Sequence, residues 1–289
     1  MSKQNKRKST LIISIFAVGF CVLIGGNYIL KSNAAVAENK KQEEIQNQIE
    51  AEKNKPIVGA KEESVKKYGY DARKIMKKIE TYDYSNDGKK MVFLTFDDGP
   101  STTNTPAVLD TLKKHNVKGT FFTCGYTVRD DKTKALLKRT FDEGNAIANH
   151  TYSHDIHKLY PGRSLDLNAF VDDLKANEQV MKDVIGDNFS TRVIRTPGGF
   201  YSWKNMKPLR EYINENNMAN IDWNALNKDA EGAKKVSSQL SNIAIETSKD
   251  KDIVVLLMHD TYGKEETVKS LDEVINYFKE NGYEFKILI

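Results

Sequence analysis

The chain has 289 residues, 39% hydrophobic and 29% charged, with 44 Lys+Arg against 40 Asp+Glu. Residues 1–89 hold 17 basic and 11 acidic side chains, which leaves 27 and 29 for residues 90–289, so the body of the chain is slightly acidic. That balance argues against a nucleic-acid partner, which calls for a strongly basic face, and two cysteines, Cys21 and Cys124, build no disulfide framework.

At the amino terminus, Lys3, Lys6, Arg7 and Lys8 precede a mostly apolar run from Thr10 to Leu30, interrupted by Gly25, Gly26 and Asn27. Roughly 20 such residues can span a bilayer, with the basic flank kept cytoplasmic and everything after residue 31 outside. The expectation is a single-pass membrane anchor with the body of the chain, residues 90–289, extracellular. A cleaved signal peptide is the alternative, because Ala35-Val36-Ala37 has the small-residue pattern of a cleavage site. Residues 32–89, rich in Lys, Glu, Gln and Asn, read as a charged, partly helical spacer that lifts residues 90–289 off the membrane.

From residue 91 strands and helices alternate. Strands are expected at Met91–Phe96, Gly119–Thr123, Ala146–Asn149, Arg192–Arg195, Ala219–Trp223, Ile253–Met258 and Glu284–Leu288. Helices fall between them at about Thr105–His115, Lys132–Glu143, Leu167–Ile185, Met206–Asn216, Val236–Ser248 and Thr267–Asn281, the first with Pro106 in its opening turn. Seven strands separated by helices indicate a parallel α/β architecture.

Sites in such folds are built at the carboxyl ends of the strands, and the reactive side chains cluster there. Met91–Phe96 stops at Asp97 and Asp98, followed by the turn Gly99-Pro100. Neighbouring strand residues face opposite ways, so one carboxylate can bind a cation while the other takes a proton. His150 and His154 follow the third strand, four residues apart, the separation that puts both imidazoles on one side of a helical turn. With Asp98 they make a two-histidine, one-carboxylate set suited to a catalytic zinc that keeps an open position. Arg195 ends the fourth strand, Asp222 and Asp229 sit at and after the fifth, and His259 follows the sixth. His157 and His115 read as surface residues, and no Gly-x-Gly-x-x-Gly follows the first strand to hold a nucleotide cofactor.

Several of these segments resemble, in order and spacing, the motifs of the polysaccharide deacetylases with a NodB-type homology domain, carbohydrate esterase family four. Thr95-Phe96-Asp97-Asp98-Gly99-Pro100 is similar to the first, which makes Asp97 the catalytic base and Asp98 a metal ligand. His150-Thr151-Tyr152-Ser153-His154 is similar to the second, both histidines being ligands. Arg195-Thr196-Pro197-Gly198-Gly199 resembles the third, whose Arg orients the base and whose following backbone amide faces the oxyanion. Leu257-Met258-His259 resembles the last, where Leu257 would line the acetyl pocket and His259 act as general acid. The resemblance covers about residues 90–289 and implies a distorted (β/α)7 barrel. One motif departs: Asp229 best matches the family's partner of the acid histidine, but Ala230 stands where Trp is usual, implying a more open groove. Asp222-Trp223 is a second possible register.

The chemistry follows from what an acetamide needs. A divalent cation on Asp98, His150 and His154, expected to be Zn2+ with Co2+, Mn2+ or Ni2+ as alternatives, would activate water and polarise the carbonyl. Asp97 would remove the water's proton, Arg195 would keep Asp97 ionised, the Gly198 amide would donate to the oxyanion, and His259, held by Asp229, would protonate the amine. The expected function is deacetylation of a cell-wall glycan, foremost the N-acetylglucosamine of peptidoglycan. The alternatives are another polysaccharide, such as xylan or a chitin-like polymer, and a wall-binding module without turnover.

Overall fold

The structure is a computed structural model that describes residues 38–43, 45–46 and 57–289. The chain divides after Lys55, and the compact unit Pro56–Ile289 carries the site. Ahead of that unit, residues 38–43 and 45–46 are helical and exposed. The apolar run Thr10–Leu30 and the candidate cleavage site at Ala37 lie outside the described residues, among which no helix is long and apolar enough to cross a membrane.

The unit opens with β1 (Ile57–Val58), α1 (Glu62–Tyr68), β2 (Gly69–Tyr70) and α2 (Ala72–Glu80). The alternating body follows: β3 (Met91–Asp97), α3 (Thr105–Lys114), β4 (Thr120–Thr123), α4 (Asp131–Asp142), β5 (Ala146–Asn149), the one-turn α5 (Ile156–Leu159) and α6 (Leu167–Ile185). It continues through β6 (Phe189–Ser190), β7 (Val193–Ile194), α7 (Lys207–Glu215), β8 (Ala219–Asn220), β9 (Ala225–Leu226), α8 (Ser237–Ser248), β10 (Ile253–His259), α9 (Glu265–Glu280), β11 (Glu284–Phe285) and β12 (Ile287–Leu288).

The main sheet runs β8-β7-β5-β4-β3-β10-β9, with β11 also on β3, and its pairs are parallel. No ladder joins β8 to β9, so the sheet is open there. All seven residues of β3 are buried, which is why it reads as a continuous apolar run: a strand covered on both faces has no polar side to alternate with. Helix ends are fixed locally. Asp130 and Thr133 form a capping box at α4, Asp166 caps α6 by accepting from the Ala169 amide, and Pro106 sits in the first turn of α3, where no amide partner is lost.

One boundary differs from expectation. The spacer expected over residues 32–89 does not extend through residues 57–80, which are built into the body. β1 pairs with β6 and β2 with β12, and α2 buries Ala72, Ile75, Met76 and Ile79 in the core cluster that holds Met91 and Phe93. These residues recur at i, i+3, i+4 and i+7, one stripe of an amphipathic helix. The many lysines around them, exposed on the opposite face, masked the stripe.

Candidate active site

Period-two alternation decides which side chains enter the site. Met91 and Phe93 lie in one core cluster, Val92, Leu94 and Phe96 in another. Asp97 continues the first set, beyond Thr95. On β10, Ile253 and Val255 join the first cluster and Val254, Leu256 and Met258 the second, so Leu257 and His259 continue the side that Asp97 occupies. The β3–β10 register sets His259 opposite Asp97.

Asp97 is 3% exposed and Arg195 fully buried. The Arg195 Nη1 donates to Asp97 Oδ1 at 2.6 Å and to Thr95 Oγ1 at 3.0 Å, its Nε donates to the Ile221 carbonyl at 2.7 Å, and its guanidinium lies over the Phe122 ring at 4.0 Å. Burial raises the Asp97 carboxyl above its ordinary value, and the Arg195 charge pulls it back toward the ionised form. A carboxylate held in that tension is a stronger base than one in water.

Asp98 turns away with φ of 68°. Its Oδ1 lies 3.4 Å from both His150 Nε2 and His154 Nε2, and one donor atom from each of the three falls within 4.8 Å of the others. The Nδ1 of His150 bonds the Arg195 carbonyl at 2.8 Å, which places the proton on Nδ1 and the lone pair on Nε2, facing Asp98. Burial, reinforced by His154, pushes His150 down to about 3, so it is neutral at physiological pH as a ligand must be. The donor set therefore fits a divalent cation of the zinc type. The helical turn expected for residues 150–154 does not form. The segment is an irregular loop in which Thr151 and His154 take φ of 66° and 50°, and this backbone, rather than helical phase, brings the rings together.

On the other side of Asp98, His259 Nε2 lies 3.9 Å from Asp98 Oδ2. The Nδ1 of His259 meets Asp229 Oδ1 at 2.7 Å, and Asp229 Oδ2 accepts from the His259 amide at 3.0 Å and from Thr267 Oγ1 at 2.7 Å. Burial works against a charged imidazole, but the Asp229 bond and charge, with Asp97 and Asp98 behind it, raise His259 to about 9. Asp222, the other register, accepts from the Phe200 amide and from Asn220 Nδ2 instead. Its neighbour Trp223 and Trp203 brace the turn after β7: a Cβ on Gly198 would come within 3.1 Å of the Trp203 ring and one on Gly199 within 3.1 Å of the Trp223 ring. Pro197 is buried and Gly198 exposed at the mouth. Leu257, Asp229, Ala230 and His259 line a pocket of about 30 Å³.

Two histidines lie apart. His157 is exposed. His115 was expected to be exposed too, but its side chain is only 10% accessible and bonds Asp272 Oδ1 at 2.6 Å, because α9 packs beside the end of α3.

The polysaccharide deacetylase family model matches residues 84–216, and a peptidoglycan-N-acetylglucosamine deacetylase of Bacillus cereus is 30% identical over 237 residues, covering 78% of this chain and 80% of the relative. The chain belongs to the polysaccharide deacetylase family. This deacetylase is likewise 31% identical to the peptidoglycan-N-acetylmuramic acid deacetylase PdaA of Bacillus subtilis, over 83% of this chain and 87% of that one. A Streptococcus mutans CE4 esterase superposes with a TM-score of 0.73 at 32% identity, covering 80% of this chain and 96% of that one. The parallel α/β sheet, open between β8 and β9, fits the fold of those CE4 enzymes.

The sequence reading missed the residues of this deacetylase that support the site without belonging to a motif. Asp173 and Asn177 are buried among Phe170, Leu174 and Met181 on one face of α6. Polar side chains interrupting an apolar helical stripe were the available signal. Asp260, directly after His259, is also buried, bonds Thr105 Oγ1 and is raised to about 7, chiefly by burial.

Proposed function

We propose that this enzyme is a metal-dependent hydrolase that removes N-acetyl groups from peptidoglycan, with N-acetylglucosamine as the sugar attacked. The observation that carries this reading is the order of groups around Asp98: a buried carboxylate–arginine pair on one side, a charged histidine–carboxylate pair on the other, and two imidazole donors between them. Asp98, His150 and His154 would hold a divalent cation, which when bound would supply Lewis-acid polarisation of the acetamide carbonyl and a more acidic water. Asp97 accepts the proton of that water as the new C–O bond forms. Arg195 keeps Asp97 oriented and charged. The Gly199 amide is engaged by the Thr196 carbonyl and the Phe200 amide by Asp222, which leaves the Gly198 amide as the donor of that turn for the oxyanion; one such donor is worth about 3 kcal/mol in the transition state. His259 then gives its proton to the departing amine as the C–N bond breaks, and the products are acetate and a free amino sugar. The pocket beside Leu257 suits a group as small as the acetyl methyl.

Two further points belong to the proposal. The domain is a distorted (β/α)7 barrel, supported by the parallel strand order and the CE4 superposition. It is placed outside the cell by the basic flank and apolar run of residues 3–30. Protease digestion of the full chain on intact protoplasts tests the placement: a protected body overturns it.

The full chain, supplied with Zn2+, is expected to release acetate from chitooligomers or wall glycan. No release under any divalent ion defeats the reading. The names of the two relatives point to different sugars, so mass spectrometry of the treated glycan decides between N-acetylglucosamine and N-acetylmuramic acid.

A further inference from the structure

The loop that carries both imidazoles is shaped from a helix that supplies no donor to the metal centre. We propose that Asp173, on the buried face of α6, is the positioning residue of this loop, holding His150 and His154 at the separation a cation requires before any cation binds. The inference rests on the metal-dependent reading above and adds to it the residue that sets the ligand geometry.

Residues 150–154 make no helical hydrogen bonds, so each amide must find its acceptor elsewhere. The His150 amide donates to the Thr123 carbonyl at 3.0 Å, and the Thr151 amide to Asn149 Oδ1 at 2.9 Å. Asp173 takes the next two: its backbone carbonyl accepts from the Tyr152 amide at 3.1 Å, and its Oδ2 from the Ser153 amide at 2.7 Å and from Ser153 Oγ at 2.9 Å. The His154 amide closes the loop on Thr151 Oγ1 at 3.2 Å. Beyond His154, Lys158 Nζ reaches back to Asp173 Oδ1 at 2.6 Å. One turn further along α6, Asn177 Nδ2 bonds both the Thr123 carbonyl, at 2.7 Å, and Asn149 Oδ1, at 2.8 Å, steadying the strand ends from which the loop springs.

Asp173 is 1% exposed on a stripe that is apolar but for it and Asn177. A carboxylate there is costly unless every lone pair is used, and here all its partners belong to the segment 152–158. Thr151 and His154 are left-handed at φ of 66° and 50° without being glycine, a conformation that persists only when surrounding bonds over-determine it. Without the Asp173 carboxylate the loop loses both bonds to Ser153 and the ion pair at its far end, keeping at its centre only the Tyr152 bond to the backbone carbonyl, and His154, the more exposed of the two ligands, is freed first.

The test is the Zn2+ affinity of the full chain, measured by competition with a chromophoric chelator, together with melting temperatures with and without Zn2+. Asp173→Ala is expected to raise the zinc Kd by roughly ten- to a hundredfold and to shrink the stabilisation that zinc gives, while excess zinc restores turnover. Asp173→Asn, nearly isosteric, serves if the alanine variant does not fold, and is expected to shift the Kd in the same direction by less. A purely structural role lowers both melting temperatures together and leaves the zinc Kd alone. A folded variant whose Kd stays within about twofold of the wild type overturns the proposal. A wild-type chain that fails to bind zinc overturns the metal reading itself, so the two failures are distinguishable.

Discussion

Asp229 Oδ1 stands 2.7 Å from His259 Nδ1 and its Oδ2 3.0 Å from the amide of the same residue, so one carboxylate grips both the ring and the backbone of the histidine that faces Asp98. The grip keeps His259 protonated up to about pH 9. The role of acid proposed for it requires the proton, so turnover is expected to fall as pH rises through that value. In Asp229→Asn the raising charge is gone while burial, which lowers, remains. The basic limb of the kcat profile should then move to lower pH, and a limb that stays in place counts against His259 as the acid.

Asp97→Asn removes the proposed base and is expected to slow acetate release by roughly 10²–10⁴-fold. The zinc Kd should change far less, because Asp97 is not among the three donors that converge. Single-turnover acetate release and chelator competition on the same sample separate the two effects.

Arg195→Ala leaves the Asp97 carboxylate buried without its cation. Breaking a buried pair from one side costs about 3–5 kcal/mol, so denaturant unfolding should show a large drop in stability along with lost activity. A variant of unchanged stability is incompatible with the 2.6 Å pair.

Ala230→Trp places a ring at the rim of the pocket shared by Leu257 and His259. Ala230 is exposed, so the melting temperature should hold. The expected effect is on selectivity: kcat/KM falls for peptide-substituted wall glycan relative to linear chitooligomers, measured in one competition assay.

Truncation separates the domain boundary read from sequence from the one in the structure. A chain starting at residue 56 is expected to melt as the full chain does, whereas one starting at residue 90 loses α2 and uncovers the core around Met91 and Phe93. Within the full chain, Ile75→Ala alone should cost about 2–5 kcal/mol. Calorimetry of these proteins checks both outcomes.

The sequence by itself determined the principal strands and helices from Met91 onward and which side chains converge on the candidate site, though not the short β6 and β9 or the one-turn α5. Buried parallel strands are apolar runs, and the residues that end or directly follow them, Asp97, Asn149, Arg195 and His259, sit at the one face where such folds place their sites.

What only the tertiary structure decided depends on contacts between segments distant in sequence. Residues 57–80 join the core because Ile75 and its stripe meet Met91 and Phe93 from across the fold, a partnership no local pattern encodes. The choice of Asp229 over Asp222 as the partner of His259 is made by β9, a two-residue strand whose pairing with β10 carries the chain from one acid to the other. The loop bearing His150 and His154 is likewise not a helical turn, since its amides are satisfied by Asp173 and Asn149 rather than by its own carbonyls. In each case a local preference is weak, and burial against a remote partner, worth several kcal/mol, overrides it.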